Sequence, residues 1–344
     1  MPTGPRSGRA KGRGSGGRGP STGGGGRGSG ARGSGSGGGR AASGGKSGAG
    51  KSPSKGGAGK GGARKGAAGG GGGGGGGSGG RPVPGRARGL GGEQVEGRQA
   101  VRELLLAGTR RVREVLIAVD PDEDIGPAQD LADLAADVGV GVRQVTRRKL
   151  DGIARTDAPQ GVVAMAAPLP EHLLEELLVP SERGAVPFLL AVDGVTDPGN
   201  LGALLRSAEC AGVTGVVLPR HRAVHVTPAV TKAAAGAVEH LPIAVVGGLP
   251  SAVAELRRAG VTVIGMDMAG VPLHRASVPV DQPVCLVLGS EGKGISRLVR
   301  ERCDEVLALP LLGQLASLNV AAAGAVACYE VARRRLLAGD ADGG

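Results

Sequence analysis

The sequence predicts an α/β chain in three parts: a basic tail unable to build a core, a small α/β unit, and a larger parallel sheet covered by helices on both faces. Three observations carry this prediction. Residues 1–92 hold 17 Lys and Arg, 43 of the 70 Gly, and no Asp or Glu. From 93 to 168, short β-branched runs alternate with amphipathic stretches over about 75 residues, enough for one small unit. From 186 onward continuous apolar runs recur with helical patterns between them, the signature of parallel strands buried on both sides.

The tail comes first. It has almost no Leu, Ile, Val or aromatic residue to offset the entropy of ordering, so it is expected to be disordered. The whole chain carries +11, but from residue 93 onward 25 basic and 31 acidic residues leave a net charge of −6. The polycation is the tail alone. Two readings of it stay open: sequence-independent RNA tethering by counterion release, or a low-complexity extension with no dedicated role. Within it GKSGAGKS, Gly45–Ser52, matches the phosphate-loop pattern. It lacks the preceding strand and following helix that such a loop needs, so no nucleotide site is read there.

Composition excludes several classes. There is no strict three-residue Gly period, hence no collagen-like helix. No run of about 18 apolar residues predicts a membrane span, and the N-terminus lacks the apolar segment of a secretory signal, so a cytoplasmic protein is expected. Cys210, Cys285, Cys303 and Cys328 are scattered without a CxxC pair, which favours free thiols over disulfides or a metal site. Phe188 and Tyr329 are the only aromatics. RNA contact must therefore rest on charge, backbone groups and shape rather than base stacking.

In the small unit, 93–168, residues 94–108 place Val101, Leu104, Leu105 and Leu106 before Gly108 and predict a helix. Strands are expected at 112–119, 141–146 and 161–167. A helix carrying Leu131, Leu134 and Ala135 falls at 126–139, and a helical turn at 147–154. Arg110, Arg111, Arg143, Arg147, Arg148 and Lys149 form its polar side, either an ordinary solvated face or an RNA-docking one. Residues 169–185, with Pro170 and Pro180, read as a linker containing one helical turn.

The larger domain is expected over 186–338, with 339–344 a disordered end. Its strands fall at 187–193, 215–219, 241–246, 261–267, 283–289 and 304–311, and its helices at 200–212, 228–238, 249–260, 295–303 and 316–338. In such sheets ligands bind in loops at the carboxyl ends of strands. Three loops stand out. In DGVTDPGNLGALLRSAECAG (193–212), Asp197-Pro198 starts a helix, Asn200 lies at its entrance, and Arg206 sits beside Leu205 and Ala208, partly desolvated. A structural salt bridge from Arg206 to Glu209 or Asp193 competes with a functional role. In VCLVLGSEGKGISRL (284–298), Gly289, Gly292 and Gly294 allow backbone to approach a ligand, and Glu291 favours hydroxyls, an adenine edge or a cation over a phosphate. A plain connection fits equally. In LALPLLGQLASLNVAAAGAVACYEVARRR (307–335), Ser317-Leu318-Asn319 opens a helix whose Ala and Gly permit close packing; Ser317 reads as its N-cap.

The three motifs in this order, DxxxDPxNLGxxLRxAxxxG, LxLGxEGxG and LPxxGxxxSLNVxxAxxxxxYE, resemble the SpoU/TrmH family of RNA ribose 2′-O-methyltransferases in the SPOUT superfamily. The segment 227–243 is also similar, and the resemblance spans about 94–338. It implies a trefoil-knotted SPOUT domain holding S-adenosylmethionine, preceded by an L30e-like substrate-binding domain. It implies that Arg206 activates the ribose hydroxyl, that Asn200, Glu291, Ser317 and Asn319 shape the target pocket, and that Gly289, Leu309 and Leu318 line the cofactor site through their backbone. A homodimer would complete the pocket, with no metal and no membrane involved. Pro159 departs from the family, where His often precedes the Gln-Gly pair, so no contact is carried over there. The expected substrate is a guanosine of 23S rRNA. Transfer RNA or a resistance-type rRNA adenosine is the alternative, followed by a catalytically silent RNA-binding protein. A class I methyltransferase is disfavoured because no Gly-rich loop follows a first strand.

Overall fold

The structure, a computed structural model, describes residues 90–119, 126–180, 185–221, 225–279 and 281–342. The reading of the tail therefore lies outside the described residues up to position 89, and so does the Gly45–Ser52 match. Packing starts three residues before the expected boundary at 93. Leu90 is buried, its N–H donates to the Leu169 carbonyl, and Gly91 bridges Val226.

The small unit comprises β1 (Gln94–Glu96), α1 (Arg98–Ala107), β2 (Val112–Ala118), α2 (Gln129–Asp137), β3 (Val142–Val145), α3 (Arg147–Ile153) and β4 (Val162–Ala166). Its sheet runs β1-β4-β2-β3, with β4 antiparallel to β1 and β2, and β3 parallel to β2. Val101, Leu104 and Leu105 of α1 meet Val115, Ile117 and Leu131 on one face, while Leu116, Leu150 and Val163 pack on the other. The expected helix at 94–108 is in fact a strand and a helix. Gly97, at φ 93°, breaks the chain between them, and three residues are too few to show a two-residue alternation.

The larger domain contains β5 (Phe188–Asp193), α4 (Pro198–Cys210), β6 (Gly215–Pro219), α5 (Pro228–Ala233), β7 (Ile243–Val246), α6 (Leu249–Arg258), β8 (Thr262–Pro272), β9 (Val284–Gly289), α7 (Arg297–Arg300), β10 (Glu305–Ala308) and α8 (Val320–Asp342). Its six strands run β10-β8-β9-β5-β6-β7, and every neighbouring pair is parallel. One face buries Leu201, Leu204 and Leu205 of α4 with Val331 of α8; the other buries Leu249, Val253 and Leu256 of α6. Helix 228–238 is interrupted where Ala235 and Gly236 take positive φ, leaving a single 3₁₀ turn at Ala237–Glu239. Helix α8 starts at Val320 rather than 316 and continues through Asp342, beyond the expected end at 338.

The segment read as a linker is packed. Leu169, Leu174 and Leu177 are buried and His172 bridges Ala244 on β7. The small unit is joined to the larger domain by charge. Arg110, read as part of a solvated or RNA-docking face, belongs to neither: it is buried against Glu239 in a two-pronged pair, Nη2–Oε1 2.6 Å and Nε–Oε2 2.9 Å. Its Nη1 also donates to the carbonyls of Gly92 and Ala167. Nearby, a Cβ at Gly236 would overlap Glu103 of α1, so only glycine lets the two parts approach this closely.

Candidate active site

Strands β5 and β9 are neighbours and parallel, so their carboxyl ends, Asp193 and Gly289, stand side by side. The first two motif loops therefore leave the sheet together. The third follows β10, two strands away, and returns because α8 packs on α4 and β9. The convergence is visible in one hydrogen-bond network. Asn200 Nδ2 donates to Glu291 Oε1 at 3.1 Å, and Asn319 Nδ2 donates to Asn200 Oδ1 at 2.8 Å and to Glu291 Oε1 at 2.7 Å. Side chains separated by 91 and 119 residues share one cluster.

Each member is oriented by a helix end. Asp197 caps α4 by accepting from Asn200 N at 2.7 Å, as the Asp-Pro start predicts. Asn319, not Ser317, caps α8: its Oδ1 accepts from Ala321 N and Ala322 N. Glu291 Oε1 also accepts from Val320 N, placing a carboxylate at the positive end of α8. Asp193 Oδ2 accepts from Ser296 N at 2.6 Å and is thereby committed to the start of α7.

Below this network lies a cavity of about 180 Å³ lined by Gly289, Glu291, Leu309, Ser317 and Leu318, together with Met266 of β8. All three residues expected at the cofactor site, and Ser317, thus come together. Arg206 does not join them. It is exposed rather than partly desolvated, makes no ion pair with Glu209 or Asp193 or any other described residue, and lines a separate cleft at the junction with the small unit.

The SpoU rRNA methylase family model matches residues 187–329, and the model for RNA 2′-O ribose methyltransferase substrate binding matches 94–172. The chain is 40% identical over 247 residues to the 23S rRNA (guanosine-2′-O-)-methyltransferase RlmB of Pseudomonas aeruginosa, covering 71% of this chain and 97% of the relative. The chain belongs to the SpoU family. It is 44% identical over 209 residues to RlmB of Ralstonia nicotianae, covering 60% of this chain and 82% of that protein. The SpoU methyltransferase AviRb of Streptomyces viridochromogenes, solved with its cofactor AdoMet, matches with a TM-score of 0.58 at 26% identity, over 71% of this chain and 90% of that one.

The SpoU cofactor is S-adenosylmethionine, and the cavity suits it. Its wall combines apolar Met266, Leu288, Leu309 and Val320, suited to an adenine ring, with Lys293 and two carboxylates; Asp267 is paired with Arg300 at 3.1 Å, which leaves Glu291 to face a positively charged sulfonium. From Leu311 to Leu318 the main chain forms no backbone–backbone hydrogen bond among the described residues, leaving peptide groups for a ligand. Met266, Asp267 and Met268 escaped sequence reasoning because β8 carries no motif. No signal in the sequence points to them, since only the sheet order sets β8 beside β9. Among the described residues no group of three or more His, Cys, Asp or Glu is placed to hold a metal ion, and no helix is long and apolar enough to cross a membrane.

Burial pushes the thiol of Cys303 up to about 11 and that of Cys328 up to about 12, and raises Cys285 further. These thiols stay protonated at neutral pH and supply no nucleophile.

Gly289 closes the second motif so tightly that a Cβ there would overlap the backbone of Gly294. Gly289→Ala is therefore expected to distort the loop at a cost of about 1–3 kcal/mol. S-adenosylmethionine affinity, measured by equilibrium dialysis, should fall about tenfold or more. Wild-type affinity in that variant would contradict the assignment.

Proposed function

We propose that the protein is an S-adenosylmethionine-dependent RNA 2′-O-methyltransferase acting in the cytoplasm on a guanosine of 23S rRNA. The observation that carries this reading is the Asn200–Glu291–Asn319 network above the Gly289–Leu309–Leu318 cavity. The RlmB relatives, named as 23S rRNA guanosine methyltransferases, support the choice of RNA and base.

Gly289, Leu309 and Leu318 would hold S-adenosylmethionine, which would supply an electrophilic methyl group. The remaining work falls to side chains. A ribose hydroxyl is a weak nucleophile, so charge developing on its oxygen must be stabilised as its proton leaves. Arg206 fills that role as a permanent cation rather than as a base. Asn200 keeps one amide hydrogen and Ser317 a hydroxyl for the sugar, while Asn319, whose amide is fully engaged, shapes the pocket with Glu291 by holding Asn200 in place.

Arg206 lines no part of the cofactor cavity in its own chain. A homodimer resolves this, with Arg206 of one copy serving the cavity of the second. Leu312 is 97% exposed and Leu315 81%, and Val326, Tyr329, Leu336 and Leu337 are also exposed, an apolar surface suited to a second copy. The knotted C-terminal third and the L30e-like character of the small unit belong to the same reading.

The test is incubation of the full chain with methyl-labelled S-adenosylmethionine and 23S rRNA from a strain lacking the gene, followed by digestion to nucleosides. Label in 2′-O-methylguanosine supports the reading. Label in a methylated base, in an adenosine, or only in transfer RNA overturns the substrate assignment.

A further inference from the structure

The junction cleft that contains Arg206, of about 380 Å³, opens where α1 and the 159–161 turn of the small unit face α4 and α5. It is lined by polar side chains, Arg206, Lys232, Gln99, Gln160 and Glu96, and by no aromatic residue. Its two cations come from different helices, and neither makes an ion pair among the described residues. Arg206 makes no hydrogen bond or ion pair among the described residues, and the only bond of Lys232 is a long one, 3.4 Å, to Thr156 Oγ1.

Glu96, the one carboxylate lining the cleft, makes no direct ion pair with either cation and offsets only part of their charge. It is fully buried and its carboxylate already accepts from Gln94 Nε2 at 2.8 Å, Arg155 N at 2.6 Å, Thr156 N at 3.1 Å and Thr156 Oγ1 at 2.5 Å. Those bonds hold the 155–156 loop, and Thr156 in turn holds Lys232 at the cleft. Gln160 is fixed as well. Its Oε1 accepts from Arg98 N and its carbonyl accepts from Arg98 Nε, while its amide N–H₂ has no acceptor among the described residues.

The backbone adds an independent sign. Gln160, at φ 56°, and Ala235, at φ 50°, are the only non-glycine residues with positive φ among those described, and both line this cleft. Strain of this kind persists where the surrounding structure enforces a conformation, and it concentrates at functional sites.

We propose that the cleft seats one backbone phosphate of the substrate RNA, gripped by Lys232 together with Arg206, with the Gln160 amide donating to the same phosphodiester. The inference rests on the RNA methyltransferase reading above and extends it to residues that carry no motif. Two cations against one carboxylate leave the cleft net positive, which together with a free amide donor matches a phosphodiester, whereas a base would need the stacking surface that the cleft lacks. Because one wall belongs to each part of the chain, the phosphate couples substrate capture by the small unit to placement of the ribose beside Arg206.

The test compares wild type, Lys232→Gln and Lys232→Arg as full chains binding an unmodified 23S rRNA transcript over a range of KCl concentrations. Lys232→Gln should weaken RNA binding about tenfold, as expected for a lost charge-assisted bond. The slope of log affinity against log salt should shrink by about 0.7–0.9. KM for RNA should rise more than kcat falls, S-adenosylmethionine affinity should not change, and Lys232→Arg should restore most of the loss. An unchanged affinity and slope would overturn the phosphate seat. So would a loss that accompanies a lowered unfolding midpoint and persists in Lys232→Arg, which marks a purely structural role. Methyl transfer by the wild type with no change of slope in the variant removes the seat alone. A changed slope without any methyl transfer removes the proposed activity and leaves the seat.

Discussion

Arg206→Ala is expected to lower the rate of ribose methylation by about 10²–10³-fold, the usual loss when a charge-stabilising donor is removed from a transition state. S-adenosylmethionine affinity should stay within about twofold, because Arg206 lines no part of the cofactor cavity in its own chain. It also has no structural partner whose loss would disturb the fold. Arg206 lies six positions beyond Asn200 along α4, about 9 Å of helix axis, so in the dimer each such helix would carry an amide for its own cavity and a cation for that of the second copy. Arg206→Lys keeps the charge but loses the planar fork, and should recover part of the RNA affinity with little of the rate. Single-turnover methylation under saturating cofactor separates these effects. A near-normal rate in Arg206→Ala would remove Arg206 from the chemistry.

The second large effect concerns stability. Arg110→Ala leaves the Glu239 carboxylate buried without its partner and strips donors from the carbonyls of Gly92 and Ala167. Breaking a buried pair in this way costs about 3–5 kcal/mol. At roughly 2–4 °C per kcal/mol for a domain of this size, the unfolding midpoint should drop by about 6–20 °C. Replacing both partners, Arg110→Met with Glu239→Leu, should be far milder, since no charge is then left in the interior. Thermal unfolding followed by circular dichroism checks both. A drop below about 2 °C in Arg110→Ala would mean that the pair does not hold the two parts together.

That same pair shows where sequence reasoning stops. Apolar runs such as FLLAVD and VCLVLG announce their strands because both faces of a parallel sheet are buried, and β5 and β9 lie where those runs fall. Arg110 and Glu239 lie 129 residues apart, and neither has a local signal to distinguish it from a solvated charge. The Asp197 cap was legible because capping is local, three residues from donor to acceptor. The cap at Asn319 was misplaced onto Ser317 because both residue types suit the position and only the fold decides between them. The meeting of Asn200, Glu291 and Asn319 followed from motif order and family resemblance, not from spacing. Pattern alone also did not reveal that Arg206 faces a cleft distinct from the cofactor cavity.

The central claim is that one cavity at the carboxyl ends of β5 and β9 directs a methyl group to a ribose oxygen of 23S rRNA. Mapping 2′-O-methyl sites in 23S rRNA from cells with and without the gene tests it most directly. The account predicts that a single methylated guanosine disappears on deletion and returns with the wild-type gene but not with Arg206→Ala. An unaltered 2′-O-methylation pattern, or loss confined to transfer RNA, would contradict it.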